Sequence, residues 1–273
     1  MKKSLICSLQ KTGIPDYIFD GEPEKNLFII RELGYEGVEL AVSQPWTVDL
    51  GWLKSLLEQS NLEVCNTGTA GVAGEGLFLT SPTAVNRRAC LEHLKQYARF
   101  AACIGGSLSI GTVRGPAPVS WVKLTEQRHW LAKGLRELAK FAGEEFGLRL
   151  VIEPLSSQYT GWIHTVAEAL ELLDEIDADN LGLLVDTYHL YHQEADWSES
   201  LAAAGSWVAH VHVSDSNRRY PGMGVINFRT VIKTLRDIGY DGYLSLEAEP
   251  YPDPITCAKN NAEYLATILS EPG

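Results

Sequence analysis

Four side chains in this sequence combine acid or imidazole chemistry with the same place in the chain, the end of an apolar run. Glu153 closes Leu150-Val151-Ile152-Glu153, Asp186 closes Leu183-Leu184-Val185-Asp186, His212 closes Val208-Ala209-His210-Val211-His212, and Glu247 closes Leu244-Ser245-Leu246-Glu247. Short apolar runs separated by helical stretches read as buried parallel strands. In a closed barrel of such strands the C-terminal ends open onto one face, where active sites lie. Three carboxylates gathered there repel one another unless a divalent cation sits among them. An oxygen-rich set with one imidazole suits Mn²⁺, Mg²⁺ or Co²⁺ better than structural zinc, which favours thiolates. Taken singly, each residue is more easily read as a strand cap or an ion-pair partner. Four in succession read as a metal site.

The elements that must position them alternate along the whole chain, the pattern of an α/β fold with a parallel sheet. Strands are expected at Leu5–Leu9, Gly37–Leu40, Glu63–Asn66, Ser107–Gly111, Leu148–Glu153, Leu181–Asp186, Val208–Val213 and Tyr243–Glu247. Between them lie stretches whose apolar residues share one helical face: Cys90, Leu94, Tyr97, Ala101 and Ile104; Leu131, Leu135, Leu138, Ala142 and Phe146; Val166, Ala169, Leu170, Leu173 and Ile176; and Ala262, Leu265 and Leu269. Leu33-Gly34-Tyr35-Glu36-Gly37 and Ile238-Gly239-Tyr240-Asp241-Gly242 are near copies, with glycine where a helix ends in a left-handed cap. Eight such units in 273 residues predict a single (β/α)8 TIM barrel domain over residues 1–273. An open doubly wound sheet would carry a glycine-rich nucleotide loop after its first strand, and Cys7-Ser8-Leu9-Gln10-Lys11 has none.

Bulk properties narrow the function further. A hydrophobic content of 45% is ample for a core, and a formal charge of −12 argues against a nucleic-acid partner. Five cysteines form an odd set with no C-x-x-C pair, which fits buried free thiols in a reducing compartment. The opening Met1-Lys2-Lys3-Ser4-Leu5-Ile6-Cys7-Ser8-Leu9 is too short in its apolar part for a signal peptide and reads as the first strand. No stretch approaches transmembrane length, so a cytoplasmic protein without a membrane partner is expected.

The local words around the four residues carry a resemblance. Glu153-Pro154-Leu155, Val185-Asp186-Thr187-Tyr188-His189, His210-Val211-His212-Val213-Ser214-Asp215-Ser216-Asn217-Arg218 and Pro221-Gly222-Met223-Gly224-Val225-Ile226-Asn227-Phe228, with the spacings of 33, 26 and 35 residues, are similar to one superfamily. It is that of sugar isomerases and epimerases with xylose-isomerase-like barrels, and the chain most resembles its ketose 3-epimerases of the D-tagatose and D-psicose type. The likeness is strong over residues 148–250 and diffuse elsewhere. It implies that Glu153, Asp186, His212 and Glu247 ligate a divalent ion, Mn²⁺ first, with Mg²⁺, Co²⁺ or Zn²⁺ as alternatives. It implies that Glu153 and Glu247 double as the acid/base pair of an enediolate reaction on a small sugar or hydroxy-carbonyl substrate, and that His189 and Arg218 hold substrate oxygens. A homodimer or homotetramer is common among such proteins.

The match is incomplete. The group usually carries Asn-Arg-Tyr/Phe-Glu after the strand-five glutamate, whereas this chain reads Ser156-Ser157-Gln158-Tyr159. Tyr159 stands where the second glutamate would contact the sugar, and Asn227 stands where aspartate is common. The chemistry class is therefore firmer than the substrate. A lyase or dehydratase begins with the same proton abstraction, and an inactive sugar-binding relative would keep the metal set. Endonuclease IV repair enzymes share the barrel but add ligands that Cys65-Asn66-Thr67 and Ile110-Gly111-Thr112 do not offer. Around the site, His210 is expected on the same strand face as His212. Asp215 reads as a ligand-orienting group or a loop cap. Arg218-Arg219 with Gly222 and Gly224 lies where barrels often bind phosphate, but without a helix-opening glycine motif. Trp46 and Trp121 read as pocket walls or as surface packing, and Gly68–Gly76 as a mobile loop.

Overall fold

The apolar runs become strands that are covered on both sides, as helix-wrapped parallel sheets require. The computed structural model describes residues 1–271. Its barrel strands are β1 (Lys2–Ser8), β2 (Gly37–Ala41), β3 (Glu63–Gly68), β4 (Ser107–Ile110), β5 (Leu150–Ile152), β6 (Leu181–Asp186), β7 (Val208–Val213) and β8 (Tyr243–Leu246). Each pairs in parallel with the next, and β8 returns to β1 from Lys2↔Tyr243 to Leu5↔Leu246, closing the barrel. Phe19–Asp20 adds a short parallel piece beside Cys7 and Ser8. The expected (β/α)8 TIM barrel is the observed fold. Four expected strands stop one residue short, leaving Leu9, Gly111, Glu153 and Glu247 just beyond β1, β4, β5 and β8. The backbone bonds of the two acids, Glu153 N to Ile110 O at 3.3 Å and Glu247 N to Val213 O at 3.4 Å, are long, as where a ladder gives way to a loop.

The helices are α1 (Pro23–Glu32), α2 (Leu50–Ser60), α3 (Ala70–Gly74), α4 (Ala84–Ile104), α5 (Leu124–Phe146), α6 (Val166–Ile176), α7 (Thr187–Gln193), α8 (Trp197–Ala204), α9 (Phe228–Asp237) and α10 (Pro254–Ser270). Leu131, Leu135, Leu138 and Ala142 of α5 are buried as expected, but Phe146 is exposed and packs edge-on against Phe141. It lies in the last turn before Gly147, where the helix has left the barrel wall. Ile104, Leu170 and Leu269 are likewise only partly covered. Gly34 and Gly239 take positive φ at the ends of α1 and α9, as their sequence context predicts. Helix starts are capped by side chains: Thr165 and Glu168 form a capping box on α6, and Asp186 Oδ1 accepts the Tyr188 N–H at 2.7 Å to start α7.

The glycine-rich segment is not wholly loop. It contains α3, and Gly71 permits a close approach to Ser43 and the Tyr97 hydroxyl that a Cβ would block. No disulfide joins any of the five cysteines. Cys7, Cys90 and Cys257 are buried, whereas Cys103 is exposed on the outer side of α4, contrary to the expectation that all are covered. No helix among the described residues is long and apolar enough to cross a membrane.

Candidate metal centre

Parallel strands of similar register deliver their C-terminal residues to one rim, and that rim gathers the four sequence-selected side chains. One ligand atom from each of Glu153, Asp186, His212 and Glu247 lies within 4.8 Å of all the others. His212 Nδ1 is 3.1 Å from Glu247 Oε2, 3.4 Å from Glu153 Oε1 and 3.8 Å from Asp186 Oδ2. Asp186 serves two purposes, since Oδ1 caps α7 while Oδ2 faces the cluster. Glu153 Oε1 is buried with no hydrogen-bond partner. A buried carboxylate oxygen left without a donor is costly, and a cation among these four groups would satisfy it. The donor set of three carboxylates and one imidazole, buried except for a partly covered Glu247, fits a divalent ion such as Mn²⁺ or Mg²⁺.

The electrostatics are those of a crowded anionic site. Burial pushes the Glu153 carboxyl up to about 7 against the pull of His212, and Glu247 and Asp186 add to the rise. Burial acts in the same sense on Glu247, but Arg218 and His212 outweigh it and hold this group well below the usual carboxylate range. Burial disfavours charge on His212 too, yet Glu39, Glu247 and Glu153 keep its imidazole well above its ordinary value. The Arg218 guanidinium donates to Asp186 Oδ2 at 2.6 Å, to Asp16 Oδ2 at 3.1 Å and to Glu247 Oε2. Its backbone has a φ of 61°, a left-handed conformation that a non-glycine residue seldom adopts.

His189 is buried at the wall of the same cavity, and burial takes its pKa down to about 4. Its Nδ1 accepts the Ser156 N–H at 3.3 Å, which leaves Nε2 as the protonated nitrogen of the neutral ring. Tyr159 packs edge-on against His189 at 5.2 Å and remains 40% exposed at the mouth, so its hydroxyl is accessible to a bound molecule. The cavity of about 290 Å³ is bounded by Glu153, His189, His212, Arg218, Glu247 and Tyr159, with Ile14, Asp16, Tyr17 and Thr69 on the facing loops.

Three residues that sequence reasoning passed over belong to this site. Glu39, in β2, is buried beneath the cluster and accepts hydrogen bonds from His210 and His212. Its one signal was a lone acid inside Gly37-Val38-Glu39-Leu40-Ala41. Asp16 meets Arg218 from the loop after β1, and nothing in its neighbourhood marked it. Arg114 is fully buried behind Glu153 and donates to the carbonyls of Ile110, Trp162 and Ile163. Burial lowers its pKa to about 10, with Glu153 and Glu168 opposing.

The open alternatives resolve locally. His210 does share the inward face with His212. Asp215 caps its loop: Oδ1 accepts the N–H of Ser216 and Ile226, and Oδ2 that of Gly222. Those amides are thus spent on a carboxylate of the chain itself. Arg218 is held by three acids and Arg219 lies over the Tyr251 ring at 3.7 Å, so the loop is organised around Asp215 rather than for phosphate. Trp46 packs on His93, Trp121 is 77% exposed, and neither lines the cavity.

Comparison with known proteins places this geometry in context. The family model for xylose isomerase-like TIM barrels matches residues 27–268. An L-ribulose 3-epimerase of Methylomonas sp. (strain DH-1) is 29% identical over 220 residues, covering 79% of this chain and 74% of that protein. A 3-dehydro-D-guloside 4-epimerase of Escherichia coli (strain K12) is 24% identical over 249 residues, covering 87% and 92%. Among solved structures, a D-allulose 3-epimerase from Methylomonas sp. in complex with D-allulose superposes with a TM-score of 0.81 at 22% identity, over 97% of each chain.

Proposed function

The chain belongs to the xylose isomerase-like TIM barrel family, and from that premise we propose that it is a divalent-metal-dependent epimerase or isomerase of a small ketose or related hydroxy-carbonyl sugar. The observation that carries this reading is the convergence of Glu153, Asp186, His212 and Glu247 with one buried carboxylate oxygen left unpartnered. The names of its relatives, 3-epimerases and 4-epimerases of keto sugars, support the same class.

Glu153 and Glu247 serve as the acid/base pair. They stand at the ends of β5 and β8, three strands apart around the barrel, and so approach a bound carbon from different sides. One glutamate, as the carboxylate, removes the proton next to the carbonyl, and the other, as the carboxylic acid, returns a proton to the opposite side of the resulting enediolate. A divalent cation held by the four residues, Mn²⁺ in the first instance, would supply positive charge for the oxygens that become negative, while the glutamate pair holds one proton between its two members. His189, neutral and protonated on Nε2, donates to a substrate oxygen. Arg218, always charged, fixes the carboxylates and donates also to Ser214 Oγ, which leaves one N–H for the substrate. Tyr159 closes the mouth with an aromatic edge and one hydroxyl.

The test is a solvent-exchange screen. Protein loaded with Mn²⁺ is incubated with D-fructose, D-psicose, D-tagatose and L-ribulose in deuterated water and followed by NMR. Deuterium at the carbon beside the carbonyl, together with the epimer, is the expected result. Loss of a β-hydroxyl with a new enone absorbance would reassign the chain to elimination. Tight binding without any exchange would leave a sugar-binding protein and overturn the enzymatic reading.

A further inference from the structure

Beneath the four candidate ligands lies a carboxylate arranged in the opposite way. Glu39 is 2% exposed, and both of its oxygens accept hydrogen bonds. Oε2 accepts His210 Nε2–H at 2.8 Å and His212 Nε2–H at 2.9 Å, with the Ser245 hydroxyl at 3.3 Å. Oε1 accepts the Asn66 amide at 2.8 Å, and Asn66 Oδ1 in turn accepts the Ser107 hydroxyl at 2.8 Å. β2, β3, β4, β7 and β8 thus contribute to one polar layer across the barrel interior. Glu39, His210 and His212 form a compact acid–imidazole group, in which Oε2 is fully occupied by donors and Oε1 is turned to Asn66.

We propose that Glu39 is the positioning residue of the metal centre: by accepting Nε2–H from His212 it fixes the imidazole tautomer that turns the Nδ1 lone pair toward Glu153, Asp186 and Glu247, without touching cation or substrate. An imidazole binds a cation through an unprotonated nitrogen, and the hydrogen bond on the other nitrogen decides which one that is. A negatively charged acceptor also makes the ligand nitrogen more basic and locks the ring plane. His210 completes the arrangement. Its own Nε2–H shares Oε2, so the carboxylate is pulled from two sides and cannot swing toward the cluster. The inference rests on the metal reading given above.

Metal-stripped protein is refilled and titrated with Mn²⁺ by calorimetry and electron paramagnetic resonance, and the histidine tautomers are read by ¹⁵N NMR on the diamagnetic Mg²⁺-loaded form. Wild-type protein is expected to bind one Mn²⁺ per chain, with His212 protonated on Nε2. Glu39→Gln turns an NH₂ group toward either the imidazoles or Asn66, so Mn²⁺ affinity should fall ~10–100-fold and the tautomer should become mixed. Its kcat should drop more than its KM rises. Glu39→Asp, with the charge kept and the reach shortened, gives the same comparison if Glu39→Gln does not fold. His210→Gln exchanges the second imidazole for an amide and leaves the Glu39–His212 pair intact, and affinity should stay within about threefold.

Affinity within twofold of wild type in both Glu39 variants would overturn the proposal. So would an Nδ1-protonated His212 in the loaded wild type, or a loss in His210→Gln equal to that in Glu39→Gln, which would assign the effect to packing of the layer. Failure of the wild type to bind Mn²⁺ at all would overturn both readings. Glu39-dependent binding without proton exchange would sink only the epimerase.

Discussion

Asp215 and Glu153 are both buried acids just beyond the ends of barrel strands, and their surroundings differ in kind. Asp215 receives three backbone N–H groups from its own loop, at 2.8, 2.9 and 3.0 Å. Gly224 is pressed so close that any Cβ there would strike this carboxylate. Glu153 has an oxygen with no donor and shares a single imidazole with two further acids. The first acid organises a loop and lowers the free energy of the fold; the second is left needing positive charge. Satisfaction of the lone pairs, more than burial or position in the chain, separates a structural carboxylate from one reserved for chemistry.

That contrast breaks most visibly under substitution. On the proposed reading, Glu153→Gln or Glu247→Gln is expected to cut turnover about 10³-fold or more, because each would remove a proton-transfer group and a metal ligand together. Glu153→Gln should leave the metal-free protein at least as stable, since like-charge repulsion is relieved; urea denaturation reading a loss above about 2 kcal/mol would class Glu153 with the structural acids. Asp215→Ala should do the reverse, removing about 3 kcal/mol by stranding the buried Ile226 amide and the part-buried amides of Ser216 and Gly222, while Mn²⁺ still binds. Mn²⁺ at a hundred times its dissociation constant should stabilise wild type by about 2.7 kcal/mol, measured by the same denaturation and reversed by a chelator. Asp215→Ala should keep that increment, and Glu153→Gln should lose most of it.

The smallest effect concerns Asp20, which resembles Asp215 but sits nearer solvent. Burial raises its pKa, but the Ser8 hydroxyl and the N–H groups of Gly13 and Thr12 override this and lower it below the ordinary value. A depressed folded-state pKa means stabilisation that is complete above the unfolded value and disappears as pH falls through the folded one. Asp20→Asn should therefore cost about 1 kcal/mol at neutral pH, kept modest by solvent screening, and the gap to wild type should close from about pH 4 downward. A gap that persisted at pH 2 would mean that the charge of Asp20 is irrelevant to the loop.

Much of this was legible in the chain. The eight strands announce themselves as apolar runs because both faces of each are covered, and Glu153, Asp186, His212 and Glu247 stand out because an ionisable group at the end of such a run has few other reasons to be there. Glu39 was not legible, because one acid in a five-residue strand looks like an outward-facing charge until the strand across the barrel is known to bring His210 and His212 against it. Arg114 and Asp16 lie in loops, where charge is ordinary, and only the closed barrel turns them inward. Phe146 erred the other way: its spacing matches the buried face of α5, but the helix outruns the wall it packs on. Periodicity reports what a segment can bury, and long-range packing decides how much of it is buried.

Arg218 joins two loops at both of its ends. Its main-chain carbonyl accepts Glu249 N–H at 2.7 Å while its side chain grips Glu247, so the segments following β7 and β8 are tied through one residue. Neither segment can swing outward alone, and widening the rim there demands a concerted shift. The loops after β1, β3 and β5 complete the rim of the cavity, and the first of them is bound to the same guanidinium through Asp16, so three segments of the rim share a single anchor.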